Sequence, residues 1–363
     1  MAPRVACSLE GFERSDRKPL GSRASAPRLT YSPGFASVAA AMEAQDQITD
    51  DSQFEEPLNE LRRRIKELES YPEGSGHESE LLQLRSTLHK TAKDIYSKLN
   101  RWQKTLVARH FDRPYTLGYI EHLMTDWVEV HGDRAVADDP AIVAGLANFR
   151  GRPVAVIGHQ KGRGTRERIH RNFGQPRPEG YRKALRVMKL AERFGKPVLT
   201  FIDTPGAYPG IGAEKRGQAE VIARNLIEMA DLRVPIIVTI TGEGGSGGAL
   251  ALGVGNRVYM LEYSVYSVIS PEGCAAILWK DQDRKADAAE ALRLTADDCH
   301  RLGVVDEVIP EPVGGAHTDP KTVFERVGKV LEKALGEMER MTPEGIIEQR
   351  HRKFRALGVF EER

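Results

Sequence analysis

Cysteine is scarce in this 363-residue chain: Cys7, Cys274 and Cys299 stand far apart, and no Cys-x-x-Cys pair occurs. That scarcity argues against a disulfide framework and a cysteine-built zinc site on this chain, and a reducing cytoplasm fits it best. An excess of one charge is also missing. Fifty-three Lys and Arg face 52 Asp and Glu, a formal net charge of +1, so the chain lacks the basic surplus of a dedicated nucleic-acid binder. Any anion site must therefore be local. Long apolar runs are absent too. The longest, near Val234 to Ile240, is interrupted by Thr239 and falls short of the ~18 residues that a membrane span needs. What is present is 40% hydrophobic and 29% charged residues, enough for a sizeable core and incompatible with a wholly disordered chain. The length allows two domains, or one large α/β domain with appendages.

Residues 1–41 are rich in Arg, Ser, Ala and Pro and show no apolar period. They read as an extension that is disordered or not translated, with a natural start at Met42. An organellar transit peptide is the competing reading, and the early acids Glu10, Glu13 and Asp16 speak against it. Residues 42–112 read as a helical hairpin. Phe54, Leu58, Leu61, Ile65 and Leu68 make a narrow apolar seam on a charged helix, and Tyr71 to Gly76 breaks it. A second seam, Leu81, Leu84, Leu88, Ala92, Ile95, Leu99, Trp102 and Leu106, predicts one antiparallel helix over 81–106. The expected role of the hairpin is assembly, against its own core or another subunit.

From residue 113 to about 340, strand and helix signals alternate. Strands are expected at 142–149, 153–158, 197–203, 234–241, 257–262 and 265–270, and helices at 181–194 and 217–230. Repeated β-turn-α units imply an α/β fold with a mostly parallel sheet, and sites in such sheets form at the carboxyl ends of strands. A helical tail is expected over 341–363.

Two turns stand out. Asp203-Thr204-Pro205-Gly206 also occurs in GTPases, but no Gly-x-x-x-x-Gly-Lys-[Ser/Thr] phosphate loop lies upstream, which argues against a GTPase. The second turn, Gly242 to Gly248, admits several readings. Gly242, Gly244 and Gly247 with Glu262 downstream fit a dinucleotide fingerprint, although the helix expected over Ala249 to Gly253 is short for one. Ser246 fits a hydrolase nucleophile elbow, with Asp297 or Asp306 and His300 or His317 as partners. A third reading uses the backbone, since glycines opening a helix present peptide N–H groups as an oxyanion hole. A plain tight turn needs only the glycines.

The runs Arg113-Pro114-Tyr115-Thr116-Leu117, Gly158 to Arg163, Arg171-Asn172-Phe173-Gly174, Pro178 to Ala184, Phe201 to Gly210, Gly242 to Leu250 and Ile269 to Ala275 resemble the carboxyltransferase α-subunit family of bacterial acetyl-CoA carboxylase. The resemblance spans about residues 54–356. It implies a crotonase-like (ClpP/crotonase superfamily) core of stacked ββα units with an amino-terminal helical hairpin. It implies transfer of the carboxyl group from carboxybiotin, borne on the biotin carboxyl carrier protein, to acetyl-CoA, forming malonyl-CoA in the first committed step of fatty-acid synthesis. Zinc is then expected on a separate β subunit in an α2β2 assembly, and ATP is consumed by the biotin carboxylase component. Residues 1–41 depart from the family pattern, and the lack of the long carboxyl extension of plastid versions points to a bacterial enzyme.

Under this resemblance the biotin-facing oxyanion hole maps onto Gly247 and Gly248, and Gly206, Ala207, Tyr208, Pro209, Gly244 and Gly245 wall the pocket. The biotin ureido nitrogen itself takes the acetyl proton, so no catalytic His or carboxylate is required. The basic run Lys161 to Arg171 offers Lys161 and Arg163 to CoA phosphates or the carboxylate of carboxybiotin. A solvated basic face or a subunit contact is the competing reading, and RNA binding is disfavoured because no aromatic residue interleaves the charges before Phe173.

Overall fold

Val198 to Ile202 and Ile236 to Ile240 are runs of mostly β-favouring residues, and each is buried from end to end. In the computed structural model, which describes residues 53–72 and 76–358, they form the centre of an eight-stranded sheet. The strands are β1 (Thr125–Glu129), β2 (Ile142–Phe149), β3 (Arg152–His159), β4 (Val198–Thr204), β5 (Ile236–Gly245), β6 (Arg257–Leu261), β7 (Val265–Ser267) and β8 (Glu307–Ile309). Their spatial order is β1-β2-β3-β4-β5-β6-β8, with β7 paired to the end of β5. β1, β2 and β3 are antiparallel neighbours, and every pair from β3 onward is parallel.

Alternation of side chains along the strands feeds two cores. Val198, Ile202, Ile236, Val238 and Ile240 pack with the helices Pro178–Arg193 and Gln218–Asp231 on one face. Leu199, Phe201 and Ile237 pack with the helices Thr116–Leu123 and Pro320–Met338 on the other. The carboxyl ends of β4 and β5 emerge between these layers.

The helices Glu56–Glu69 and Glu78–Tyr96 carry the expected seams, and Leu58, Ala92 and Tyr96 join Val107 and Tyr263 in one buried cluster that seats the hairpin on the body. The continuous helix expected over 81–106 is instead two. The first stops at Tyr96, and a second, Arg101–Ala108, starts after Asn100. The Asn100 side chain accepts the Gln103 N–H while the Gln103 side chain accepts the Asn100 N–H, a capping box that satisfies the donors of a new helix start. The extension expected at 1–41 and the Met42 start lie outside the described residues.

At the carboxyl end, the helix Pro343–Arg355 is fixed by Arg350. Its guanidinium is fully buried and donates to the carbonyls of Met229, Leu232 and Val234 and to Asn256 Oδ1, at 2.7–2.8 Å. It thereby closes the open carbonyl end of the Gln218–Asp231 helix, where backbone acceptors have no intrahelical partner.

Candidate functional site

Parallel pairing of β4 with β5 sets Thr204 opposite Gly244, so the two turns singled out in the sequence lie edge to edge. The glycine-rich segment is not one loose turn. Residues 242–245 continue β5, because Glu243, Gly244 and Gly245 pair with Val265, Tyr266 and Ser267 of β7. The helix then opens at Ser246, three residues before the expected Ala249, and ends at Leu250.

Contact between the turns is backbone on backbone. A Cβ at Gly245 would overlap the Pro205 carbonyl and lie 2.9 Å from the Gly206 nitrogen; one at Gly248 would lie 2.5 Å from the Gly206 carbonyl carbon. Glycine is required at both positions for the two turns to meet. Gly206 itself has φ +148°. Gly244 is buried against the Tyr266 ring, 2.7 Å from where its Cβ would stand. Thus Gly206, Ala207, Gly244, Gly245, Gly247 and Gly248 are gathered in one place. Tyr208 stands beside them, its N–H donating to the Pro176 carbonyl and its ring beneath the Arg177 guanidinium, while Pro209 is exposed. As opening residues of a helix, Gly247 and Gly248 have N–H groups with no carbonyl one turn back in that helix.

Beneath the turns lies a buried ionic floor that local sequence patterns do not reveal. Lys161 Nζ is 2.7 Å from Asp203 Oδ1 and 2.8 Å from Glu243 Oε2. Arg109 Nε reaches Glu243 Oε1 at 2.7 Å, and its guanidinium also pairs with Glu272. Burial opposes the Lys161 charge, but Asp203 and Glu243 more than compensate and hold its pKa above the ordinary lysine value. Burial alone would raise the Glu243 carboxyl; Lys161 and Arg109 instead bring it down to about 2. These groups are committed to one another, so the arrangement offers oriented peptide dipoles at the surface and fixed charge below. Peptide dipoles so oriented are able to stabilise an anionic oxygen, whereas the floor, with Lys161 and Arg109 against Asp203, Glu243 and Glu272, adds no net positive charge.

Arg163, the other basic residue singled out, donates to the carbonyls of Phe111 and Arg113 at 2.6 and 2.9 Å and lies over the Tyr115 ring. With Arg166, Glu167 and His170 it lines a shallow surface pocket on the basic segment.

The competing readings of the glycine segment fare differently. Ser246 has φ +50°, the strained backbone of a nucleophile elbow, yet none of its expected partners reaches it. Asp297 pairs with Lys104 and Asp306 with Lys353; His300 meets the Val305 carbonyl, and His317 stacks on His110. The hydrolase reading is therefore not favoured. For a dinucleotide the helix is too short, and Glu262 is occupied in accepting the Glu311 N–H.

A family profile described as acetyl co-enzyme A carboxylase carboxyltransferase-like matches residues 51–358. The acetyl-coenzyme A carboxylase carboxyl transferase subunit alpha of Syntrophotalea carbinolica is 59% identical over 311 residues, 85% of this chain and 98% of that protein. The protein of the same name from Geobacter metallireducens is 57% identical over 312 residues, again 85% and 98%. Among solved structures, the transcarboxylase 12S hexamer with methylmalonyl-coenzyme A and methylmalonic acid bound is similar in fold, with a TM-score of 0.52 and 19% identity. That likeness covers 64% of this chain and 44% of the other, so it spans less than half of the transcarboxylase chain.

Proposed function

This chain belongs to the acetyl-CoA carboxylase carboxyltransferase α-subunit family, and from that premise we propose that its paired glycine turns form the biotin-facing half of a carboxyltransferase site. The enzyme class is carboxyltransferase, acting on acetyl-CoA, on a crotonase-like α/β fold. The single observation that carries the reading is near-complete coverage of the α-subunit relatives, 98% of their length at 57–59% identity.

Bound here, carboxybiotin would supply the carboxyl group and a ureido oxygen on which negative charge develops. The N–H groups of Gly247 and Gly248 meet that oxygen as fixed dipoles with no proton to lose. The absence of a side chain at Gly247 leaves room for a flat ring to approach the backbone closely, while the bare Gly248 lets the Gly206–Ala207 turn pack against it. Gly206, Ala207, Tyr208 and Pro209 with Gly244 and Gly245 form the walls, and Lys161 holds the floor through Asp203 and Glu243.

Being an α subunit, the chain works with a partner. We assign the acetyl-CoA-facing oxyanion hole and the zinc to a β subunit in an α2β2 assembly. The biotin carboxyl carrier protein delivers the carboxyl group, and biotin carboxylase consumes the ATP that charges it. Among the described residues no three His, Cys, Asp or Glu side chains converge to hold a metal ion, and no helix is long and apolar enough to cross a membrane. The test is co-expression with a zinc-bearing β-subunit candidate, followed by malonyl-CoA decarboxylation in the presence of free biotin. Biotin-dependent turnover by the complex and none by either chain alone is expected; an assembled complex without it would overturn the assignment.

A further inference from the structure

Lys161, Asp203 and Glu243 stand at the carboxyl ends of three neighbouring strands, β3, β4 and β5. One ammonium bridges the other two strands' carboxylates at 2.7 and 2.8 Å, and Asp203 Oδ1 also accepts the Glu243 N–H at 2.9 Å. One residue beyond Asp203 comes the turn Pro205-Gly206-Ala207, and directly after Glu243 comes Gly244 to Gly248. The tie therefore sits at the root of both glycine turns. Packing holds Lys161 in this bridge, because its Cγ lies against Gly174, where an added Cβ would come within 2.5 Å of it, and its side chain is only 13% exposed.

We propose that Lys161 is a positioning residue for carboxyl transfer, its ammonium setting the spacing of the two glycine turns without touching substrate. The proposal rests on the reading of Gly247 and Gly248 as the biotin-facing donors. Without the ammonium, the Asp203 and Glu243 carboxylates would face each other across the gap it fills. Arg109 meets only Glu243 and is shared with Glu272; Arg113 acts on Asp203 through space alone, its guanidinium being paired with Glu311; Tyr115, Tyr119 and His159 bring no positive charge. Two like charges at that distance repel until one takes up a proton. While both are charged the strand ends part, carrying the turns with them, and a shift of ~1 Å in positioning groups is worth about 10²-fold in rate.

The experiment uses the α/β complex and biotin-dependent malonyl-CoA decarboxylation. Lys161→Met should lower kcat about 10²-fold at pH 8 with KM for malonyl-CoA unchanged. Relative to the wild type, the loss should shrink as pH falls toward 6, where the two carboxyls share a proton. Lys161→Met/Asp203→Asn should recover at least about tenfold, because the Asn amide donates to Glu243 and removes one charge. Unchanged kcat, a loss confined to KM, or a loss that neither acid nor the Asn variant relieves would overturn the proposal; the last would mean that the ammonium acts on substrate directly. Should Lys161→Met fail to assemble, the double variant decides alone: an active complex upholds the proposal, and an inactive or unassembled one ends it. A wild-type complex without biotin-dependent turnover would instead remove the functional reading beneath it.

Discussion

Gly248 and Ala207 approach so closely that no side chain fits between them: a methyl group at Gly248 would overlap the Ala207 nitrogen. One residue earlier the space is open, since a Cβ at Gly247 would meet only Ile222, at 3.5–3.6 Å. The neighbouring glycines thus separate packing from ligand access. Gly248→Ala should push the turns apart and cost about 1–3 kcal/mol in urea unfolding. Gly247→Ala should leave stability unchanged and lower kcat about 10²-fold by crowding the donor face. Wild-type turnover from Gly247→Ala would place the biotin-facing hole elsewhere.

Among the described residues the buried Arg350 cation has no carboxylate partner; its hydrogen bonds there go to carbonyls and to Asn256. Burial lowers its pKa to about 10. Arg350→Met fills similar volume but strands several buried acceptors, each costing about 1–3 kcal/mol. A loss of at least ~3 kcal/mol in denaturant unfolding is expected, and a variant within ~1 kcal/mol of wild type would show that water replaces the guanidinium.

Acid should destabilise the fold well before its carboxylates titrate. Burial, then the charge of Lys161, pushes His159 down to about 3; burial, then His110 and nearby arginines, pushes His317 down to about 3. An imidazole whose pKa is lower in the folded state contributes stability above ~6.5, its unfolded value, and loses it as pH falls toward the folded one. Glu243, depressed to about 2, adds a loss below ~4.5. Unfolding free energy should therefore decline steadily from pH 7 to 4, and His159→Leu should flatten that slope. An identical slope in the variant would mean that His159 takes up its proton without unfolding.

Ser246 is predicted to be chemically idle. Ser246→Ala should retain turnover within about threefold, and a fluorophosphonate probe should leave the serine unlabelled. Because its φ is +50°, Ser246→Gly should relieve strain of order 1 kcal/mol and raise the unfolding midpoint. Stoichiometric labelling would return the hydrolase reading to contention.

The central strands were legible because β-branched runs flanked by Gly, Pro and Asp encode them locally. Val198 to Thr204 falls one residue from the expected 197–203. Boundaries fixed by distant partners were not. The extension of β5 to Gly245 depends on β7, whose pairing no window around Gly242 contains. Asn100 and Gln103 did carry a readable signal, a capping box, but the seam of Ile95, Leu99, Trp102 and Leu106 runs through the break and masks it. In the site, the glycines announced themselves by clustering. Arg109, Glu243 and Glu272 gave no such sign, and Lys161 stood out only as one member of a basic run, since the ion pairs of these four join positions as much as 163 residues apart.

Arg350 also orders events in time. The carbonyls it satisfies belong to residues 229–234, at the threshold of β5, so a ribosome must translate more than a hundred further residues before their partner exists. Until then the chain holds a central strand and a helix end whose acceptors only water can serve. Completion of this core is therefore a late event of synthesis, and the nascent chain up to that point is the form most exposed to aggregation and to proteases.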